Sequence, residues 1–176
     1  MKNWKTFRLL FYISCALTVA ICGVMNLWLI PAIESSTQGI RCFDMNFFYT
    51  PQTARQFLAL LSQEGRTVYL TRQLPLDFFY PVSYTTFFAL TIRFSMRRST
   101  KLAYLPVLLA ILDYGENICI LRMLKATEIS DALAVTGSVF TTAKNVVMFV
   151  CLVLILILLV RYVILRKKEK QIQQQS

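Results

Sequence analysis

Two stretches of this chain limit its fold more than anything else in it: residues 9–33 and 145–160 contain no charged side chain. Crossing a hydrocarbon core takes about 20 apolar residues in a helix, and uninterrupted runs of this length are not needed for a soluble core. Composition agrees. Of 176 residues, 56% are hydrophobic and 16% charged, where a soluble domain carries about 25% charged residues. The expected class is all-α: a polytopic membrane protein, built as a four-helix transmembrane bundle with a helical external loop.

The first span is placed at about 9–30, after the basic start Lys2, Lys5 and Arg8, and reads as an uncleaved helix, too long for a signal-peptide core. A second span, 76–93, is the least apolar: only 78–92 is charge-free, and it holds Tyr80, Pro81, Ser83, Tyr84, Thr85, Thr86 and Thr91. Such a helix needs an inward polar face. The third, 102–121, carries Pro106 in its first turns, where proline costs least. The fourth covers 138–162, and a disordered tail is expected over 167–176.

Between the first two spans, residues 31–75 form the external loop, with short amphipathic helices. Thr50-Pro51 is a helix-start signal, a capping Thr followed by Pro at the first helical position, and Gly65 reads as the stop of that helix. A second short helix follows through Val68, Tyr69 and Leu70. The aromatics Phe43, Phe47, Phe48 and Tyr49 predict an ordered lid. The whole chain reads as one membrane domain.

Charge sets the orientation. The N-terminus, the loop with Arg93, Arg97, Arg98 and Lys101, and the C-terminus with Arg161, Arg166, Lys167, Lys168 and Lys170 hold 12 of the 19 basic residues and one acid, Glu169. The positive-inside rule places all three in the cytoplasm, which requires an even number of spans in, by expectation, the plasma (cytoplasmic) membrane. The net charge of +10 is thus accounted for at helix ends and lipid headgroups, with no nucleic-acid partner. Histidine is absent, so triads, haem axial histidine and the usual zinc sites are excluded, and no metal or cofactor is expected. The five cysteines form no C-x-x-C, against a thiol oxidoreductase; Cys42 is left as a candidate for pairing with another chain.

The residues that carry information lie in the third span, LPVLLAILDYGENICI. Asp113 and Glu116 are i,i+3 and Asp113 and Asn117 are i,i+4, so all three share a helix face. A charge at a helix centre costs about 2.5–3.5 kcal/mol on insertion scales, so two carboxylates there need a partner, a proton or water. With a rise of about 1.5 Å per residue, Asp113 is about 16 Å and Glu116 about 21 Å above Leu102, while Lys144 is about 25 Å above Arg161. Lys144 is therefore predicted to pair with Glu116, against the alternative that it reaches out to headgroups. Asn26, Asp77, Tyr80 and Asn145 fall in the same outer half and complete the expected polar cluster. Ser14, Thr18, Cys22 and Asn26 repeat every four residues, as helix-packing stripes do. Most of the charged loop residues, Arg41, Asp44, Arg55, Glu64 and Arg72 among them, are expected to be solvated or paired with one another at little gain, with Arg66 and Asp77 where the lid meets the bundle.

The runs F-D-x-x-F-F-Y-T-P from Phe43, E-G-R-x-x-Y-L from Glu64, L-P-L-D-F-F-Y-P-x-x-Y from Leu74 and L-D-Y-G-E-N from Leu112 resemble those of a group of small four-span membrane proteins with a D-x-x-E-N motif in the third helix. More loosely, the architecture is similar to the EXPERA class, small four- or five-span bundles with acidic residues in a membrane-accessible cavity, which includes sterol isomerases and lipid-handling proteins. The resemblance implies a fold; no motif of that class lines up here, and no catalytic role is carried over.

The function expected is binding or moving a small molecule or lipid headgroup in an intramembrane polar pocket, with membrane lipids as surroundings and a membrane-protein partner or second copy as further candidates. Two alternatives stand beside it: an intramembrane lipid-modifying enzyme using carboxylate acid–base chemistry, which no nucleophile or metal cluster supports, and an accessory subunit of a membrane complex.

Overall fold

The computed structural model describes residues 2–95 and 101–175. It is all-helical, with no strand among the described residues. Helix α1 runs through Lys2–Val24, a π-helical turn at Met25–Leu29 and a last segment, Ile30–Glu34. A 3-10 turn, Phe43–Met45, interrupts the extended chain that follows, and α2 is Pro51–Leu60. Helix α3 begins at Gln63–Val68, passes through a second π-helical turn at Tyr69–Gln73, and continues as Leu74–Ser95. After a 3-10 turn, Lys101–Tyr104, come α4, Leu105–Lys125, and α5, Asp131–Gln175. Helix α3 packs against α1 and α4, and α5 lies along α4 and touches α3.

Each segment read as a span is helical. Two helices are long and apolar enough to cross a membrane, over Trp4–Glu34 and Asp131–Tyr162. Their most apolar windows are only 28% and 17% buried, so neither is a helix wrapped in its own protein's core. Pro106 lies in the first turn of α4, where its missing N–H deprives no helical bond.

The segment 31–75 is where expectation and structure part. Thr50 caps α2, its side-chain oxygen accepting from the Thr53 amide at 3.2 Å, but Gly65 does not end that helix. Leu61 turns extended, Ser62 caps the next helix by accepting from the Gly65 amide at 3.0 Å, and Gly65 is buried within it. A Cβ at Gly65 would lie 2.7 Å from Ser36 Oγ, so close packing, not termination, explains the glycine. The second short helix is likewise no separate element: the Tyr69–Gln73 π turn absorbs one extra residue and carries the chain unbroken into α3. Helix α5 continues through Gln175 across the stretch expected to be disordered, and Ser176 lies outside the described residues. Cys42 is fully buried, so it cannot reach another chain, and none of the five cysteines is in a disulfide. Arg97 and Arg98 lie outside the described residues.

The lid is ordered because its aromatics are core. Phe43, Tyr49, Phe57 and Tyr69 are buried together, with ring centroids 5.0 Å apart for Phe43–Tyr49 and 4.8 Å for Phe43–Phe57. Phe47 and Phe48 instead stay exposed. Arg66 clamps this layer to the bundle: its guanidinium donates to the Leu124 carbonyl, one of the last carbonyls of α4 that no helical N–H reaches.

Candidate functional site

Helices α3, α4 and α5 close on a line of polar side chains. Asp113, Glu116 and Asn117 share one face of α4 and are all buried. Gly115, on the adjoining face, lets α5 approach: a Cβ there would fall 2.5 Å from the Phe140 ring. From α5, the Lys144 ammonium ion-pairs with Glu116 and stands 3.4 Å from Asp113 Oδ1. Its side chain is 13% exposed, so it turns inward and does not extend to the surface. The remaining carboxylate oxygens are held by hydroxyls. Thr141 donates to Glu116 Oε1 at 2.6 Å, and Tyr84 of α3 donates to Asp113 Oδ2 at 2.9 Å.

Asp77, one turn into the Leu74–Ser95 part of α3, is buried as well, and Gln73 donates to its Oδ2 at 3.0 Å. Pro81 explains the contact on its backbone. Lacking an N–H, it cannot bond the carbonyl four residues earlier, and that carbonyl, of Asp77, accepts instead from Asn117 Nδ2 at 2.9 Å. A helix defect in α3 thus becomes a tie to α4.

Asn145 and Asn26 are not part of this cluster. Ser138, Thr142 and Asn145 lie on one face of α5 and hold the extended lid segment. Ser138 Oγ accepts from the Tyr49 amide at 2.9 Å, Thr142 donates to the Phe47 carbonyl at 3.1 Å, and Asn145 donates to the Asn46 carbonyl at 3.1 Å. Asn145 is a lid tether. Asn26 is exposed and folds back on its own helix, donating to the Cys22 carbonyl at 2.9 Å, because the π turn beginning at Met25 breaks the four-residue stripe there. Higher up that stripe the contact is made: Thr18 donates to Ser83 Oγ at 3.3 Å. Tyr80 is half-buried at the cluster's edge, its ring 5.0 Å from that of Tyr84.

Asp77 and Tyr80 are expected here, whereas Gln73, Tyr84 and Thr141 escape a reading of the sequence by segments. Gln73, Asp77, Tyr80 and Tyr84 fall on one helical face, but only if the helix is continued back past Leu74. Asp44, expected among loop charges that are solvated or paired with one another, is instead tucked into the lid and accepts from the Tyr69 hydroxyl at 2.9 Å. Burial pushes its carboxyl above the usual carboxylate range, against the pull of the Lys144 ammonium and the Tyr69 hydrogen bond. Asp44 also lines a groove of about 500 Å³ with Met45, Asn46, Phe47, Asn145, Val146 and Phe149. That groove sets the Asp44 carboxyl beside an apolar wall of Phe47, Val146 and Phe149. Tyr49 seats its hydroxyl against Gly137, where a Cβ would come within 2.3 Å.

Two carboxyls, Asp113 and Glu116, therefore share the single Lys144 ammonium, while Asp44 and Asp77 are held by Tyr69 and Gln73. Among the described residues, no three Cys, Asp or Glu groups are arranged to hold a metal ion. Comparison with family models, with curated proteins and with solved structures gives no match.

Proposed function

We propose that this chain is a four-span integral membrane protein of the plasma membrane, with both termini cytoplasmic, whose polar interior binds or moves a small molecule or lipid headgroup entering along the Asp44–Phe149 groove. The observation that carries this is Lys144, held between Asp113 and Glu116 inside helices whose other faces expose Leu152, Leu156, Ile157 and Val160. Those apolar faces need a hydrocarbon solvent. The ion-paired interior, in contrast, is a poor device for stability alone, because desolvating the charges offsets much of their attraction and apolar residues would serve as well or better. Ionisable groups facing the inside of a bundle at this depth are functional by default. An acid-rich interior beneath an ordered lid, beside a groove that sets Asp44 against an apolar wall, suits an amphiphile whose polar end goes in and whose chain stays out.

The test is native mass spectrometry of gently purified protein. Wild type should carry a non-protein mass that Asp113→Asn loses while remaining folded. An empty wild type, or equal occupancy in the variant, ends this reading. Impermeant labelling of cysteines introduced at Thr6 and Gln52 should report opposite sides of the membrane.

A further inference from the structure

Away from Lys144, the junction of α3 and α4 holds an arrangement that the ion pair leaves unexplained. Asp77 is 7%, Gln73 0% and Asn117 1% exposed. Both amides spend their nitrogens on Asp77, Gln73 on its carboxylate at 3.0 Å and Asn117 on its carbonyl at 2.9 Å. The other ends of both amides, Gln73 Oε1 and Asn117 Oδ1, are buried and without a hydrogen-bond partner. Nitrogen and oxygen of one amide are roughly 2.3 Å apart, so each orphan oxygen lies within roughly 5 Å of the Asp77 atom its nitrogen binds. Two unsatisfied carbonyl oxygens thus belong to the two buried side chains that hold Asp77, one on its carboxylate and one on its backbone.

The nearby donors cannot satisfy them. Tyr69 gives its proton to Asp44, Tyr84 to Asp113 and Tyr114 to the Phe78 carbonyl, while Lys144 is engaged with Asp113 and Glu116. Among the described residues no cation ion-pairs with Asp77. Unsatisfied buried acceptors are rare in folded proteins and point to a water or ion that completes them.

The donor set selects between candidates. It contains only oxygen, which excludes the soft and borderline metals that take thiolate or imidazole. It carries one negative charge and two neutral amides, where divalent cations draw on several carboxylates or phosphates. We infer that Gln73, Asp77 and Asn117 form a site for a largely dehydrated monovalent cation, sodium in size, between α3 and α4. Local geometry serves such a site. Gln73 and Asp77 are four residues apart, which puts them on one helical face, and Gln73 closes a π turn, a defect that recurs at functional positions. Pro81 frees the Asp77 carbonyl that anchors Asn117 by its nitrogen, leaving the oxygen of that amide for the ion. This goes beyond the proposed headgroup site and uses different groups, so either can fail alone.

The test is thermal unfolding of the purified full chain in detergent, titrated with sodium chloride, potassium chloride or choline chloride at constant ionic strength, together with equilibrium binding of radiosodium. Sodium should raise Tm saturably, as a ligand of the native state alone must, by about 2 °C or more at saturation, and choline should not. Radiosodium should bind at a single saturable site. Asp77→Asn should abolish both effects. Gln73→Met, which keeps the side chain's length and removes the oxygen, should weaken sodium binding at least about tenfold, one donor lost being worth that much. Equal Tm in all three salts, no radiosodium binding by wild type, or undiminished sodium binding in the folded variants would each overturn the site. A Tm that answers to pH and not to sodium would overturn it too, placing a proton on Asp77 instead.

Discussion

The two ends of this molecule are held together differently. At the lid end, the extended chain after α1, helix α2 and the adjoining turns of α3, α4 and α5 bury a continuous core that includes Ile33, Phe43, Phe57, Tyr69, Ile120, Met123 and Leu124. At the other end the core shrinks to a strip of Tyr84, Phe88, Leu109, Cys151 and Ile155, and the outer faces of α5 stay exposed. The first region could almost be a small soluble domain, stabilised by its own packing. The second leaves much of its apolar surface to whatever surrounds it. The polar cluster lies where they meet, so its geometry is set from the well-packed side.

The largest effect should therefore come from cutting the lid core. Phe57 is fully buried against Phe43 and Tyr69, and Phe57→Ala should cost about 3–5 kcal/mol, read as a lower Tm and loss of amide-exchange protection over 43–70. The comparison breaks if Leu156→Ala, on the exposed face of α5, costs as much.

At the join, Lys144→Met should destabilise by an amount of the same order, about 3 kcal/mol, because it strands Asp113 and Glu116 as buried charges. Adding Asp113→Asn and Glu116→Gln should recover most of that loss, since the penalty belongs to the unpaired charges and not to the missing ammonium. If the triple variant is no better than the single one, the cluster holds the helices by shape alone.

How far the sequence foretold this follows the same division. The apolar runs of α1 and α5 are unambiguous, because length and absence of charge are properties of a segment on its own. Depth counted along two helices was enough to bring Lys144 to Glu116, since helical rise is nearly constant. The join was harder to see. A boundary near Leu76 hides the face shared by Gln73, Asp77 and Tyr84, and the π turn that carries the helix back past Leu74 leaves no mark in hydropathy. Asp44 and Asn145 were misplaced for a related reason: whether a loop folds back over a bundle depends on contacts between residues about a hundred positions apart, which no local pattern records. The Asp77–Pro81 spacing was the signal available, since a proline inside a helix announces a carbonyl in need of another donor.

A smaller effect should follow from Arg66→Met. The guanidinium bonds the Leu124 carbonyl and, at 3.4 Å, that of Leu58, so it ties α2 and α3 to the end of α4. A hydrogen bond from a charged group is worth about 1.5–3 kcal/mol, and part of the aliphatic packing survives in Met. Exchange protection should fall in the lid and stay unchanged around Leu109 and Cys151. A loss spread evenly over both regions would mean that the two are one cooperative unit.

The smallest effect is a slope. Burial raises the Asp44 carboxyl above its unfolded value, more than the Lys144 ammonium and the Tyr69 hydrogen bond lower it, with the negative Asp113 adding to the rise. The folded lid then holds a proton that the unfolded chain has already released, so between the unfolded and folded values stability declines as pH increases. Other groups face the same carboxyl: Tyr69 donates to it directly, and Asp77 and Glu116 lie within reach of its charge. Asp44→Asn removes the titration and keeps the shape and the Tyr69 contact. Lid exchange rates in wild type should rise from about pH 4 upward, and the variant should give a flatter profile. The difference should be confined to 43–70, where Asp44 is enclosed. If the variant and wild type keep the same slope there, Asp44 is not the titrating group, and the lid is not set apart from the rest of the molecule by a proton of its own.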